Sequence, residues 1–277
     1  TGFPAGMFQT NCYLVAAEQG GQAVIIDPGQ DAAERVKQLL TEYDVEPAAV
    51  LLTHGHLDHT WTAADLCDEF GIVMIADEVM AGFGRCGEWF AIQHWDVTPD
   101  LITFAKGVNS GYVPLGGVVI SRAVADTFTD RSFPGGLTYS GHPLACASAV
   151  ASIRIMEDEG VLEHVRDMGE RVIGPSLREI AERHRSVGEV RGLGMFWAVE
   201  LVRDRETREP LVPFNAAGAA AAPMTAFAAA CRERGLWPFV HFNRTHVVPP
   251  CTTSEDELRR GLEILDEALT VADEHTA

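Results

Sequence analysis

Ile75-Ala76-Asp77-Glu78-Val79-Met80-Ala81-Gly82-Phe83-Gly84-Arg85 is the stretch from which the rest of the chain is read. It closes an apolar run at residues 72–76, and such a run predicts a strand buried on both faces of a parallel sheet. An acidic residue at the end of a buried strand needs a partner, because an unpaired buried carboxylate is costly. Further along, Phe104-Ala105-Lys106-Gly107 places a lysine after a second apolar run, residues 101–105. Loss of water there would make it a usable amine nucleophile.

Working outward, residues 117–120 predict a third buried strand, and 63–70 predict a helix that Gly71 closes as a C-cap. Residues 143–156 and 162–184 read as helices, 188–201 as strand, and 255–273 as an amphipathic helix. The alanine-rich run 216–231, broken by Gly218 and Pro223, is too weakly apolar for a membrane span and predicts a small-residue packing helix. At the front, 11–17 and 22–27 are strands joined at Gly20-Gly21, 31–43 is a helix, and 49–53 is a strand. That strand leads into Thr53-His54-Gly55-His56-Leu57-Asp58-His59.

With 40 acidic and 21 basic side chains, the net charge of −19 argues against nucleic-acid or anionic-membrane partners. It suits handling of small molecules. The six cysteines are scattered singly, which predicts reduced thiols. No basic-then-apolar leader opens the chain, so a cytoplasmic location is expected. A start at Thr1 rather than Met points to a processed, trimmed or fragmentary N-terminus.

An Asp to hold a pyridinium and a Lys to form a Schiff base are the two side chains that pyridoxal phosphate chemistry requires. Singly, each is more often structural. Their surroundings add to the pattern in order: Cys67-Asp68-Glu69-Phe70-Gly71-Ile72, Pro99-Asp100, Pro114-Leu115-Gly116-Gly117, Thr138-Tyr139-Ser140-Gly141-His142-Pro143, Val190-Arg191-Gly192-Leu193-Gly194 and Val248-Pro249-Pro250. From about residue 65 to the end the chain resembles the class III aminotransferases. The resemblance implies Lys106 as the cofactor-bound catalytic lysine and proton shuttle, and Asp77 on the pyridine nitrogen. It also implies Val79 under the ring and Thr138 on the cofactor phosphate across a homodimer interface. Arg244 is a candidate for gripping a substrate carboxylate, with a surface arginine as the equal alternative. The other histidines, His94, His142, His164, His184, His241, His246 and His275, are read as structural or surface residues.

Three imidazoles and a carboxylate within six positions after a strand form a pattern for a divalent metal such as zinc. With Asn11-Cys12-Tyr13-Leu14-Val15 and Ile26-Asp27-Pro28-Gly29, this box resembles the metallo-β-lactamase fold, especially its glyoxalase II-like hydrolases. The resemblance implies His54 and His56 on one metal, Asp58 and His59 on another. The fold expected is therefore α/β in three parts. A metallo-β-lactamase-like β-β-α-β fragment (1–61) precedes a partial PLP-transferase large domain with a mainly parallel sheet (62–156) and a C-terminal α+β small domain (157–277). The expected reaction moves an amino group between an amine or ω-amino acid and a 2-oxo acid. The alternatives are a zinc-dependent thioester hydrolase and an inactive fusion or remnant.

Overall fold

A computed structural model describes residues 1–7, 9–52 and 57–277, the side chains of Leu57 and Asp58 excepted. The chain packs as two compact units. One comprises Thr1–Asp77, Asp96–Thr103 and Val118–Gly135; the other comprises Glu78–Trp95, Phe104–Gly117 and Gly136–Ala277.

The first unit opens with a sheet of order β1-β2-β3-β4, built from β1 (Gly2–Ala5), β2 (Thr10–Ala16), β3 (Gln22–Ile26) and β4 (Glu46–Leu51). β2 buries Thr10, Cys12 and Leu14 and exposes the residues between them, the period-two signature of a half-covered strand. The cover is α1 (Ala32–Glu42), whose Ala32, Val36, Leu39 and Leu40 recur at helical spacing and enter the same core as Leu14 and Ile25. β3 and β4 run parallel, the pairing that needs a crossover such as α1. The expected strand-strand-helix-strand order is present. A further strand, β1, pairs antiparallel with β2.

Next come α2 (Leu57–Thr60) and α3 (Ala63–Phe70), the latter ended by Gly71 at φ 64°. α3 sends Leu66 into the core of the first sheet. β5 (Ile75–Asp77), β6 (Leu101–Phe104) and β7 (Gly117–Ile120) form a second sheet in that order, with β5 and β6 parallel. α4 (Arg122–Asp126) follows, its first turn capped by the Ser121 hydroxyl. Burial of these strands on both faces is not what forms. Val73 and Ile75 are 56% and 59% exposed, β6 is only half-buried, and Val118, Val119 and Ile120 are exposed. An apolar run permits two-faced burial, but neighbouring layers decide it, and here three strands pair among the described residues.

The second unit carries α5 (Pro143–Asp158), α6 (Val161–Met168) and α7 (Gly174–Arg183). Its strands are β8 (Val187–Leu193), β9 (Phe196–Asp204), β10 (Glu209–Pro210), β11 (Phe239–His241) and β12 (Arg244–Val247). α8 (Ala222–Glu233) precedes β11, and α9 (Glu255–Asp273) ends the fold. The sheet order is β10-β9-β12-β11, with β8 on β9, and each of these pairs is antiparallel. One core joins Val165, Leu177, Val199, Phe227 and Leu269 from the helices and the inner sheet face.

Two expectations change here. The helix read at 162–184 is interrupted by a π-helical segment, Gly169–Ile173. A Cβ on Gly169 would lie 2.4 Å from the Gly194 carbonyl oxygen, so the β8–β9 turn presses directly on the helix. The single strand read at 188–201 is a hairpin, reversed at Gly194 with φ 53°. Among the described residues no helix is long and apolar enough to cross a membrane. All six cysteines are free.

Candidate active site

Asp77 closes β5 and Glu78 follows it, and the two acids part. Asp77 is exposed, whereas Glu78 is 4% exposed. Glu78 accepts from the Ala91 N–H at 3.0 Å and the Ile92 N–H at 2.7 Å. The buried carboxylate expected at Asp77 is thus found one residue later, where backbone donors satisfy it. Asp77 accepts instead from the Thr103 hydroxyl at 3.2 Å, across the β5–β6 pair. Thr103 was missed in the sequence; the signal was its parallel register with Asp77, which needs the sheet.

Lys106 follows β6 and heads a 3-10 turn, Lys106–Asn109. It is exposed rather than desolvated, with its amine against the Met80 sulfur. Its backbone is left-handed, φ 41°, which costs a non-glycine residue about 1–2 kcal/mol. Packing holds it there. A Cβ on Gly107 would meet the Phe83 Cβ at 3.0 Å, so glycine lets the turn lie flat on the Gly82-Phe83-Gly84 segment. Phe83 meets Phe90 and Phe104 edge-on at 5.5 and 5.6 Å, and Val108 and Ala149 complete that small core. Asn109, 2% exposed, donates to the Val113 carbonyl at 2.6 Å and to Ser148 at 3.0 Å, fastening the turn to α5. The motifs at 82–84 and 106–107, separate in sequence, are one packed unit.

Val79 is half-buried. Thr138 is exposed on the loop before α5, between Leu137 and Tyr139, themselves 81% and 79% exposed. Arg244 begins β12, half-buried, opposite Glu200 of β9 and His241 of β11.

His54, His56 and the Asp58 side chain lie outside the described residues. His59 lies in the last turn of α2, its Nδ1 2.9 Å from Asp27 Oδ2, with Asp27 4% exposed. Thr62 donates its hydroxyl to the Pro28 and Gly29 carbonyls, both at 3.2 Å, so the turn after β3 braces the segment after the His box. Cys12 of β2 is fully buried, its thiol pushed up to about 12 by burial and then by the charge of Asp27. Among the described residues no group of three or more His, Cys, Asp or Glu could hold a metal ion.

A family model described as "Aminotransferase class-III" matches residues 53–269, well over half of the chain. The 5-aminovalerate aminotransferase DavT of Pseudomonas aeruginosa is 39% identical over 207 residues, covering 73% of this chain and 45% of that protein. The taurine–pyruvate aminotransferase of Rhodobacter capsulatus is 37% identical over 217 residues, covering 74% of this chain and 45% of that one. Among solved structures, the taurine:2-oxoglutarate aminotransferase of Bifidobacterium kashiwanohense, in complex with PLP and glutamate, superposes with a TM-score of 0.79. It is 38% identical, over 89% of this chain and 57% of that one. The chain spans about half the length of the curated relatives it matches.

Proposed function

The chain belongs to the class-III aminotransferase family, and we propose that it takes part in pyridoxal-phosphate-dependent transamination between an amine or ω-amino acid and a 2-oxo acid. The observation that carries this reading is Lys106. An exposed amine heads a left-handed turn, two residues after β6, that Gly107 and Phe83 lock in place. Backbone strain of this kind is retained where a side chain must be aimed. The donor set fits the cofactor, with a carboxylate for a pyridinium and an amine for a carbonyl carbon.

Pyridoxal phosphate, when bound, supplies a carbonyl carbon and a ring that accepts electrons. Asp77, oriented by Thr103, would keep a proton at the ring nitrogen. Lys106 would hold the cofactor covalently, yield to the incoming amine, and then move a proton from the substrate Cα. Val79 would lie under the ring. Thr138 would donate to the phosphate of a second copy in a homodimer, a role that its exposed loop leaves open. Arg244 would pair with the substrate's acid. The relatives' names, 5-aminovalerate and taurine–pyruvate, share a terminal amine with an acid at the far end. We place this substrate in the same class and the protein in the cytoplasm, with residues 62–156 and 157–277 as large and small domains.

The test is amino transfer from 5-aminovalerate or taurine to pyruvate or 2-oxoglutarate, followed as the amino acid formed. Transfer that Lys106→Ala abolishes is expected. Transfer that persists undiminished in Lys106→Ala would overturn the reading.

A second reading concerns residues 1–61, as a metallo-β-lactamase-like module with zinc on His54, His56, Asp58 and His59. Its support is the His59–Asp27 contact, because a carboxylate on one imidazole nitrogen is how proteins orient a metal-binding histidine. Zinc retained after dialysis by the wild type and lost in His56→Ala would support it. Equal zinc content in the two would sink it, and with it the thioester-hydrolase alternative.

A further inference from the structure

The chain has two lysines, Lys37 and Lys106, and they keep different company. Lys37 holds Glu34 at 3.1 Å and Glu69 at 2.6 Å. Lys106 has no carboxylate within ion-pair distance among the described residues, and its amine lies against the Met80 sulfur. Both side chains are held at their roots. The Glu78 carbonyl accepts from the Gly82 N–H at 2.9 Å and closes a turn over Met80, while the Ala91 and Ile92 N–H groups fasten the Glu78 carboxylate. Lys106 heads the turn that Gly107 lays on Phe83 and that Asn109 ties to α5.

A thioether accepts hydrogen bonds weakly, so it lies beside the amine without gripping it. Exposure sets Met80 apart from most of the seven methionines. Met7 and Met80 are 76% and 57% exposed, and Met74 and Met156 are half-buried. Met168, Met195 and Met224 are 4%, 0% and 4% exposed. An oxidant dissolved in water therefore reaches the sulfur that touches the amine before it reaches those of the core.

We propose that Met80 is a reversible oxidation site, at which a peroxide silences the Lys106 amine. The Met80 sulfur attacks one oxygen of a hydroperoxide. An S–O bond forms, the O–O bond breaks, and the peroxide leaves as an alcohol, or as water from hydrogen peroxide. The sulfur loses two electrons and the peroxide gains them. Two thiols, working through a methionine sulfoxide reductase, reverse the step as they join in a disulfide and the oxygen leaves as water. The sulfoxide oxygen is a strong acceptor where the thioether was a weak one. It takes a hydrogen bond from the Lys106 ammonium, and the held ammonium attacks a carbonyl carbon more slowly. That the silenced amine serves amino transfer rests on the transaminase reading; the oxidation and the silencing do not.

The experiment exposes the full chain, without added cofactor, to dilute hydrogen peroxide, then methylates it with formaldehyde and cyanoborohydride and maps the peptides. Lys37 is the internal reference. Sulfoxide is expected at Met80 before it appears at Met168, Met195 or Met224. The ratio of label on Lys106 to label on Lys37 then falls by at least about fivefold, the scale of one hydrogen bond. Sulfoxide reductase with a dithiol restores the ratio. In Met80→Leu, which keeps the bulk and removes the sulfur, peroxide leaves the ratio unchanged. Met7 and Cys146, also exposed, are oxidised in both proteins, so the comparison isolates Met80. Met80→Gln, which brings an amide oxygen near the amine, starts with a low ratio that peroxide does not alter. The proposal is overturned by a ratio that stays constant while Met80 is oxidised, or by an equal fall in Met80→Leu. A fall that the reductase does not reverse, or a Met80 oxidised no sooner than the core methionines, overturns it as well. No turnover is read, so each of these failures leaves the transaminase reading standing, and amino transfer that survives Lys106→Ala leaves the oxidation switch standing.

Discussion

Thr103 Oγ1 lies 3.2 Å from Asp77 Oδ1, and the two residues are register partners in the parallel β5–β6 pair. The hydroxyl holds the carboxylate at the strand's carboxyl end, where ligands of open α/β sheets bind. Thr103→Val removes the donor and keeps the shape. Pyridoxal phosphate affinity should fall by up to about tenfold, the worth of one hydrogen bond, while Asp77→Asn costs more. Cofactor titration followed by absorbance checks this, and a Thr103→Val affinity equal to the wild type would show that the contact positions nothing.

The turn at Lys106 makes a second prediction. In Gly107→Ala the new methyl meets the Phe83 Cβ at 3.0 Å, close enough to push the turn away. Overall stability should drop by about 1–3 kcal/mol, the usual cost of overpacking, and the reactivity of Lys106 toward an aldehyde should fall with it. Denaturant unfolding and the rate of reductive alkylation report the two effects separately. Stability loss without any change at Lys106 would mean that Gly107 serves packing alone.

Gly169 tests the interrupted helix. The Gly194 carbonyl oxygen lies 2.4 Å from where its Cβ would be, and backbone cannot move aside as a side chain can. Gly169→Ala should destabilise the second unit by about 1–3 kcal/mol, although alanine normally favours a helix. A variant as stable as the wild type would refute the close approach.

The end of α9 carries a pH dependence. Asp273 meets His184 Nδ1 at 2.7 Å and the Ser186 N–H at 2.9 Å, while Asp266 meets the other ring nitrogen at 2.8 Å. Burial pushes the Asp273 carboxyl up, but the hydrogen bonds from Ser186 and His184 outweigh it and hold it below 3.8. A carboxyl lowered in the folded state stabilises fully above its unfolded value and loses that contribution as pH falls through the folded one. Asp273→Asn should therefore cost about 1–3 kcal/mol near neutrality, and the gap to the wild type should close at acid pH. Urea midpoints across the pH range measure it. A gap that stays constant into strong acid would contradict the role given to the charge.

What could be read from the sequence was local and periodic. α9 was legible because its apolar stripe is regular, and the structure starts it at the capping box of Ser254 and Glu257. α3 was legible because Gly71 closes it in the left-handed region. The split of 188–201 into a hairpin was hidden, since Gly194 reads as one glycine among several until a turn must fit against Gly169. At the candidate site, Lys106 and Asp77 were legible as types at strand ends, but their exposure was not. Exposure depends on which layers cover a sheet, and an apolar run such as 72–76 carries no record of that. Arg244 could be singled out as a type, but its place opposite Glu200 of β9 and His241 of β11 needs the sheet.

The most direct test of the account is to saturate the chain with pyridoxal phosphate, reduce it with borohydride and map the labelled peptides. The account predicts one dominant label, on Lys106, lost in Lys106→Ala and weakened in Asp77→Asn. Absence of label at Lys106 under saturating cofactor, or a label confined to Lys37, the other lysine of the chain, and the N-terminal amine, would contradict it.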